Sequence, residues 1–366
     1  MDPRSGRDHP GRGEPLRGLG AHVPLSAVSS APEQAGAPLP GRRPTLAWRA
    51  ATVAGVLLGL AAVVGAVAHV YPSGSNRLVA LSAFSSHLLA LSPLAAVLLA
   101  LARRRVAAGL ATVLTAGAVA VLLPTYVGSP THAGGRPLTV LTANVELGEA
   151  DPAGVVAAAR GSGADVVLLQ ELTPSLRTRL TAAGLDQLLP HSVEEALPGA
   201  DGVGLWSRHP LVDEQHHDGL TFAAVSARLD TGDGQPGPTV LTVHAAGPWP
   251  QSADDWVRDM AKLPGLLDQL AAQADEHGSP VLVGGDFNAT WGNVQFRTLL
   301  QNGYRDAAEQ FGAPWTATFP SGYAIPPLIG IDHVLVRKAG VDDLRTVEIP
   351  GSDHRGLLVR VGLPAG

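Results

Sequence analysis

The chain has 366 residues, 45% of them hydrophobic and 16% charged, with a mean hydropathy of +0.16 and a formal net charge of −6. The lack of cysteine excludes disulfides, thiolate zinc sites and a cysteine nucleophile. Up to Arg105 eleven arginines face four carboxylates, and beyond it fifteen basic residues face twenty-eight acidic ones, so the later part argues against clamping long duplex DNA by phosphate neutralisation.

Residues 1–45, rich in Gly, Pro and Arg and without apolar periodicity, read as a disordered cytoplasmic tail. Residues 46–128 hold three apolar stretches, about 50–70, 78–102 and 106–127. Each is near the ~20 residues that a helix needs to cross the hydrocarbon core, so three transmembrane helices are expected. Arg42, Arg43 and Arg49 precede the first stretch and Arg103–Arg105 separate the second from the third, while Tyr71–Arg77 carries a single arginine. The positive-inside rule then predicts a multi-pass protein of the cell membrane with its N-terminus in the cytoplasm. Residues 129–137, with Pro, Thr and Gly, form the expected linker to an extracytoplasmic domain over 138–366.

In that domain short apolar runs predict strands over Leu138–Ala143, Val166–Leu169, Val203–Trp206, Ala223–Leu229, Thr239–Val243, Val281–Val283, Val334–Val336 and Leu357–Val361. Asp151-Pro152 and Thr173-Pro174 open helices with a cap followed by Pro. Ser252–Asp255 resembles a capping box ahead of a long helix interrupted near Pro264, and Gly292–Gln301 reads as a fourth helix. This mixture suits a single layered α/β domain.

The segment Val281–Asn288 predicts a buried strand, a tight turn at Gly284 and Gly285, and then Asp286 and Asn288 on one side of the chain. Other strands end or begin in the same way. Asn144, Gln170-Glu171 and His244 follow apolar runs; Asp332 and Asp353-His354 precede them. In a mixed sheet such ends share one rim, and the collected groups suit metal-assisted attack on a phosphate ester. A hard cation such as Mg²⁺ takes oxygen ligands, with Glu171 the leading one. Asp286 is placed to orient or deprotonate water, Asn144 and Asn288 to bind phosphate oxygens or position carboxylates, and the histidines to donate to the charged transition state. A buried Asp beside a His would fix its tautomer. No His-x-His or His-Glu-x-x-His spacing supports a zinc hydrolase.

The segments Thr142–Asn144, Leu169–Glu171, Trp206–Pro210, Val243-His244, Gly285–Asn288, Ile331–His333 and Ser352–His354, in this order, resemble the endonuclease/exonuclease/phosphatase family of the DNase-I-like fold. The resemblance implies a four-layered α/β sandwich and an Mg²⁺- or Mn²⁺-dependent phosphodiesterase, nuclease or phosphatase. It implies catalytic roles for Asp286, Asn288, His244, His354, Asp332 and Asn144. Glu171, Asp353 and, in some members, Glu146 would lie at the metal. Several members pair the His244 equivalent with an acidic residue, for which Asp201 is the one candidate offered here. The expected partner is a phosphate ester, either nucleic acid or phospholipid. Trp249 would stack on a base, enter a membrane surface or pack on its own loop. A non-catalytic receptor or scaffold that keeps the fold is the alternative.

Overall fold

The computed structural model describes residues 46–129, 134–232 and 234–364; the expected tail over 1–45 lies outside them. The first helix, α1 (Leu46–Val70), is followed by three short ones, α2 (Asn76–Ala83), α3 (Ser85–Leu89) and α4 (Ser92–Leu101), and by α5 (Arg105–Val127). Both α1 and α5 are long and apolar enough to cross a membrane. The stretch expected as one span over 78–102 is instead bent by 54° after α2 and makes a third candidate only if the bent pair counts as one.

The bend has a cause in the contacts of α2 and α3. Backbone carbonyls here are claimed by side chains from far along the chain: Thr290 Oγ1 donates to Ala83 O at 3.0 Å and Asn293 Nδ2 to Val79 O at 3.1 Å. Asn76 Oδ1 accepts from Ala253 N at 3.1 Å, and Gln295 Nε2 donates to Ser73 O at 2.7 Å. Val79 is 1% exposed and sits in one hydrophobic cluster with Trp256, Leu263 and Phe296. Burying such a side chain contributes roughly 1.5–3 kcal/mol. The α2 segment is therefore part of the later domain's core.

That domain continues with β1 (Gly134–Asn144), α6 (Pro152–Ser162), β2 (Val166–Gln170), α7 (Pro174–Ala183), α8 (Leu185–Leu188), β3 (His191–Glu195) and β4 (Val203–Ser207). Then come β5 (Leu211–His216), β6 (Val225–Leu229), β7 (Thr239–His244), α9 (Asp254–His277) and β8 (Val281–Asp286). The chain closes with α10 (Val294–Thr298), β9 (Tyr304–Asp306), α11 (Ala307–Phe311), β10 (Asp332–Arg337), β11 (Gly340–Glu348) and β12 (Arg355–Pro364). Strand β1 pairs with β12 from Gly134 onward, so ordered structure begins inside the expected linker.

Two six-stranded sheets form, in the orders β11-β12-β1-β2-β4-β3 and β5-β6-β7-β8-β10-β9. Each holds a single parallel pair, β1 with β2 and β7 with β8, among antiparallel neighbours. Strands β2 and β8 are buried along their whole length, so alternate residues serve different layers. Leu168 and Leu282 enter the cluster between the sheets, Val167 and Leu169 face the helices α6 and α7, and Val281 and Val283 face α9. The result is a four-layered α/β/β/α sandwich, as expected.

Local details depart from the sequence reading. Gly284 and Gly285 form no turn; they lie inside β8, and close approach explains them. A Cβ on Gly284 would meet Leu168 Cδ1 of the other sheet at 2.4 Å, and one on Gly285 would meet Val243 O at 1.9 Å. Helix α9 runs unbroken through Pro264, and its expected capping box is absent because Ser252 Oγ bonds Asp254 instead. The expected fourth helix shortens to α10. Asp151 caps α6 by accepting from Ala153 N and Gly154 N, and Thr173 caps α7, as expected.

The glycine contacts generate a paired test. Gly285→Ala should lower stability by at least ~1–3 kcal/mol, because the obstructing atom is backbone. Gly265→Ala, at an exposed position of α9 with open space around it, should raise stability by roughly 0.5–1 kcal/mol. Thermal melting of the two variants reads both signs.

Candidate active site

The two parallel pairs carry the chemistry at their C-terminal ends. Asn144 is in register with Gln170 in one sheet, and His244 with Asp286 in the other. The antiparallel strand β10 starts beside this point, with Asp332 opposite Asp286. His354 immediately precedes β12. The sheets thereby bring Asn144, His244, Asp286, Asp332 and His354 together, all at most 5% exposed.

Asp286 is the hub. Its Oδ2 accepts from Asn144 Nδ2 at 3.1 Å and from Asn288 Nδ2 at 3.4 Å, while Oδ1 accepts from Asn288 N at 2.8 Å. His244 Nε2 and His354 Nε2 lie 3.7 and 3.8 Å from the same Oδ2. Asn288 shares this space through a left-handed backbone, φ 47°, where an extended chain was expected. Glu171 is likewise left-handed, φ 60°, as are Glu146 and Leu147. Such conformations cost of order 1 kcal/mol each in non-glycine residues, and their clustering at one cleft is a functional signature.

His354 Nδ1 lies 2.9 Å from Asp332 Oδ2, and its backbone N donates to Ser352 Oγ at 3.0 Å. Ser352 Oγ in turn donates to Asn144 O at 2.8 Å, tying the end of β1 to the start of β12. Phe319 packs on the His354 ring and Phe222 on the His244 ring, with centroids 4.9 and 4.7 Å apart. His244 Nδ1 donates to Ala200 O at 3.0 Å. Its orienting partner is thus a backbone carbonyl next to Asp201, not the Asp201 carboxylate. This carbonyl was not singled out from sequence, because a carbonyl leaves no mark in residue type, and Ser352 stood in a quoted motif without a role.

Glu171 Oε1 accepts from Asn144 Nδ2 at 2.9 Å, and Oε2 accepts from Leu147 N at 2.5 Å. Burial raises the pKa of Glu146, and the charges of Asp353 and Glu171 raise it further. Burial likewise raises that of Asp353, and the Glu171 charge adds to this. These three carboxylates thus feel one another, and among the described residues the basic side chains within 4.0 Å of Glu171 and Asp353 are the histidines His244 and His354, not Lys or Arg. Carboxylates that raise one another's pKa, with no Lys or Arg at ion-pair distance among the described residues, match a hard divalent cation. Asp286, Asp332 and His354 also lie close enough to share an ion, but His354 held as a cation is a poor ligand. The Glu171 side of the cleft is the better fit. Arg208 is structural: it binds Asp165 and the carbonyl of Ala164.

Burial drives the Asp286 pKa up to about 6, the Asp332 charge adds to this, and the two histidines oppose it. For His354 burial disfavours the cation, but Asp332 and Asp286 outweigh it and lift the pKa to about 10. The group is therefore imidazolium at neutral pH.

The sequence profile of the endonuclease/exonuclease/phosphatase family matches residues 141–354, and the chain belongs to that family. Its members hydrolyse phosphate esters. Among solved structures, D. rerio TDP2 complexed with a single-strand DNA product is 19% identical, with a TM-score of 0.52 over 62% of this chain and 98% of that one. An AP endonuclease from Archaeoglobus fulgidus is 16% identical, with a TM-score of 0.48 over 61% and 98%. The 3′ phosphatase NExo from Neisseria is 19% identical, with a TM-score of 0.46 over 61% and 98%. The TDP2 likeness at this identity defines the fold alone. No curated protein matches the chain.

The His354 ring offers a direct measurement. Its raised folded pKa means that the imidazolium contributes stability fully present below pH 6.5 and lost as pH rises through about 10. In the metal-free protein the His354 ring proton resonances should titrate near pH 10, and Asp332→Asn should move that midpoint down. A midpoint near 6.5 in both proteins would contradict the dyad.

Proposed function

We propose that this chain is a membrane-anchored, divalent-metal-dependent phosphohydrolase with its catalytic domain on the extracytoplasmic side, cleaving a phosphate ester by in-line attack of water. The observation that carries the reading is the convergence of Asn144, Asn288, His244 and His354 on one oxygen of the buried Asp286. A carboxylate with a pKa lifted to about 6 is ionised at neutral pH and basic enough to take a proton from water. The two side-chain amides donate to its Oδ2 and the Asn288 backbone N–H to its Oδ1, which fixes the orientation of the carboxylate.

His354, fixed at Nδ1 by Asp332, keeps Nε2–H free to donate to a phosphate oxygen as negative charge builds there. His244, fixed at Nδ1 by the Ala200 carbonyl, presents Nε2 to the same space. Glu171, Glu146 and Asp353 would hold Mg²⁺ or Mn²⁺, which when bound offsets phosphate charge. Arg42, Arg43 and Arg49 at the start of α1 and Arg103, Arg104 and Arg105 at the start of α5, against the single Arg77 soon after α1, support the extracytoplasmic orientation, which requires Ser85–Leu101 to cross back between α1 and α5.

The full-length protein in detergent should hydrolyse bis(4-nitrophenyl) phosphate with Mg²⁺ or Mn²⁺, and EDTA should abolish this reversibly. Asp286→Asn and His354→Ala should each lower kcat by ~10²–10⁴. Full turnover in both variants would overturn the site assignment.

A further inference from the structure

Two loops flank the catalytic cleft, and neither carries a charge. Residues 245–253 and 312–330 contain no Asp, Glu, Lys, Arg or His. The first loop leaves His244 and is held at the site by Asn288, whose Nδ2 donates to Ala245 O at 3.0 Å. The second closes at its base through Phe319, which exchanges backbone hydrogen bonds with Ile329 and packs its ring on His354. Ser321 N donates to Asp353 O at 2.6 Å, which ties the same loop to the Asp353 side of the cleft.

Both loops expose large apolar side chains. Trp249 is 75% exposed, Tyr323 64% and Ile325 53%. Trp249 therefore does not pack on its own loop. Pro248 and Pro250 flank Trp249, and Pro326 and Pro327 follow Ile325. Proline leaves the backbone few alternatives, so these segments lose little entropy on contact. Uncharged, exposed aromatic and aliphatic side chains on both sides of one cleft mark a contact surface.

The same loops are bound to the ends of the apolar helices. Asn76, soon after α1, accepts from Ala253 N at 3.1 Å and donates to Gln251 O. Arg297 donates to His69 O in the last turn of α1. Past the end of α5, Ser129 N donates to Gln310 O at 2.9 Å, and a Cβ on Gly312 would meet Tyr126 O at 2.9 Å. Trp315 stacks on His87 of α3, with ring centroids 4.8 Å apart. No spacer therefore separates the domain from the helices. A 25-residue helix such as α1 is roughly 37 Å long, against a hydrocarbon core of ~30 Å. Centred in a membrane, its last turn falls in the headgroup layer, together with the groups bonded to it. Tyr71 and Tyr126, both exposed, sit at these helix ends as interfacial aromatics do.

We propose that residues 245–253 and 312–330 rest on the outer surface of the membrane that α1 and α5 cross, with Trp249, Tyr323 and Ile325 in its headgroup layer. The catalytic cleft then opens at the lipid surface instead of toward bulk water. This docking rests on the membrane anchor proposed above and adds the face by which the domain lies against the bilayer.

The test uses the full-length protein in phosphatidylcholine liposomes, either plain or brominated near the headgroup end of the acyl chain. Fluorescence lost in Trp249→Phe reports Trp249 alone. It should be blue-shifted from tryptophan in water and quenched by the brominated lipid. Emission gained by Tyr323→Trp in the Trp249→Phe background should be quenched in the same way. Both side chains are exposed, so neither substitution removes core packing. Val113→Trp, at an exposed position of α5, is the control for the span itself. Quenching at Val113→Trp but at neither Trp249 nor Tyr323→Trp, as when nucleic acid, a second copy or another protein covers the rim, would overturn the docking and keep the anchor. Quenching at none of the three would overturn both. No readout needs turnover, so the outcome is independent of the hydrolase assignment.

Discussion

Everything at the cleft follows from burying one ionisable carboxylate. Asp286 is removed from water and cannot remain a usable anion unless hydrogen bonds and charge replace the lost hydration. Two amides, one backbone N–H and two histidine rings supply that replacement. The price is a second buried carboxylate, Asp332, which keeps one histidine cationic. Positive and negative groups therefore alternate through the site: Asp332, His354, Asp286. Removing any one leaves its neighbour with an uncompensated desolvation cost.

The sheets make this cluster possible through their matching pair patterns. In each, a single parallel pair ends at the cleft, so one strand end from each sheet delivers an amide or a histidine beside a carboxylate. Parallel neighbours finish at the same edge, which antiparallel ones cannot do. The facing sheets must also come close enough for Asn144 to reach Asp286. Gly284, against Leu168, supplies that closeness.

Much of this was legible in the residues. Apolar runs with polar ends marked eight of the twelve described strands and the rim, because burial and strand period act locally, while β3, β5, β9 and β11, which have no such run, were missed. Asn144, Glu171, His244, Asp286, Asn288, Asp332, Asp353 and His354 could be singled out for that reason. What escaped depended on partners distant in sequence. The Ala200 carbonyl behind His244 has no side-chain signature. The two glycines read equally well as a turn until the opposing Leu168 was known. The stretch over 78–102 looked like one span because hydropathy counts residues without seeing that Thr290 and Asn293 claim its carbonyls.

Those claims also impose an order of assembly. Val79 leaves the ribosome 214 residues before Asn293, the residue that holds its carbonyl. The flanking helices can fold as soon as they emerge, since their hydrogen bonds are internal. Segment α2 cannot reach its seat until β8 and the loop after it exist. Its apolar face must wait, exposed or in a provisional site, while most of the catalytic domain is made. Biogenesis of this protein thus includes a docking step, in which a segment made early locks onto a surface made later.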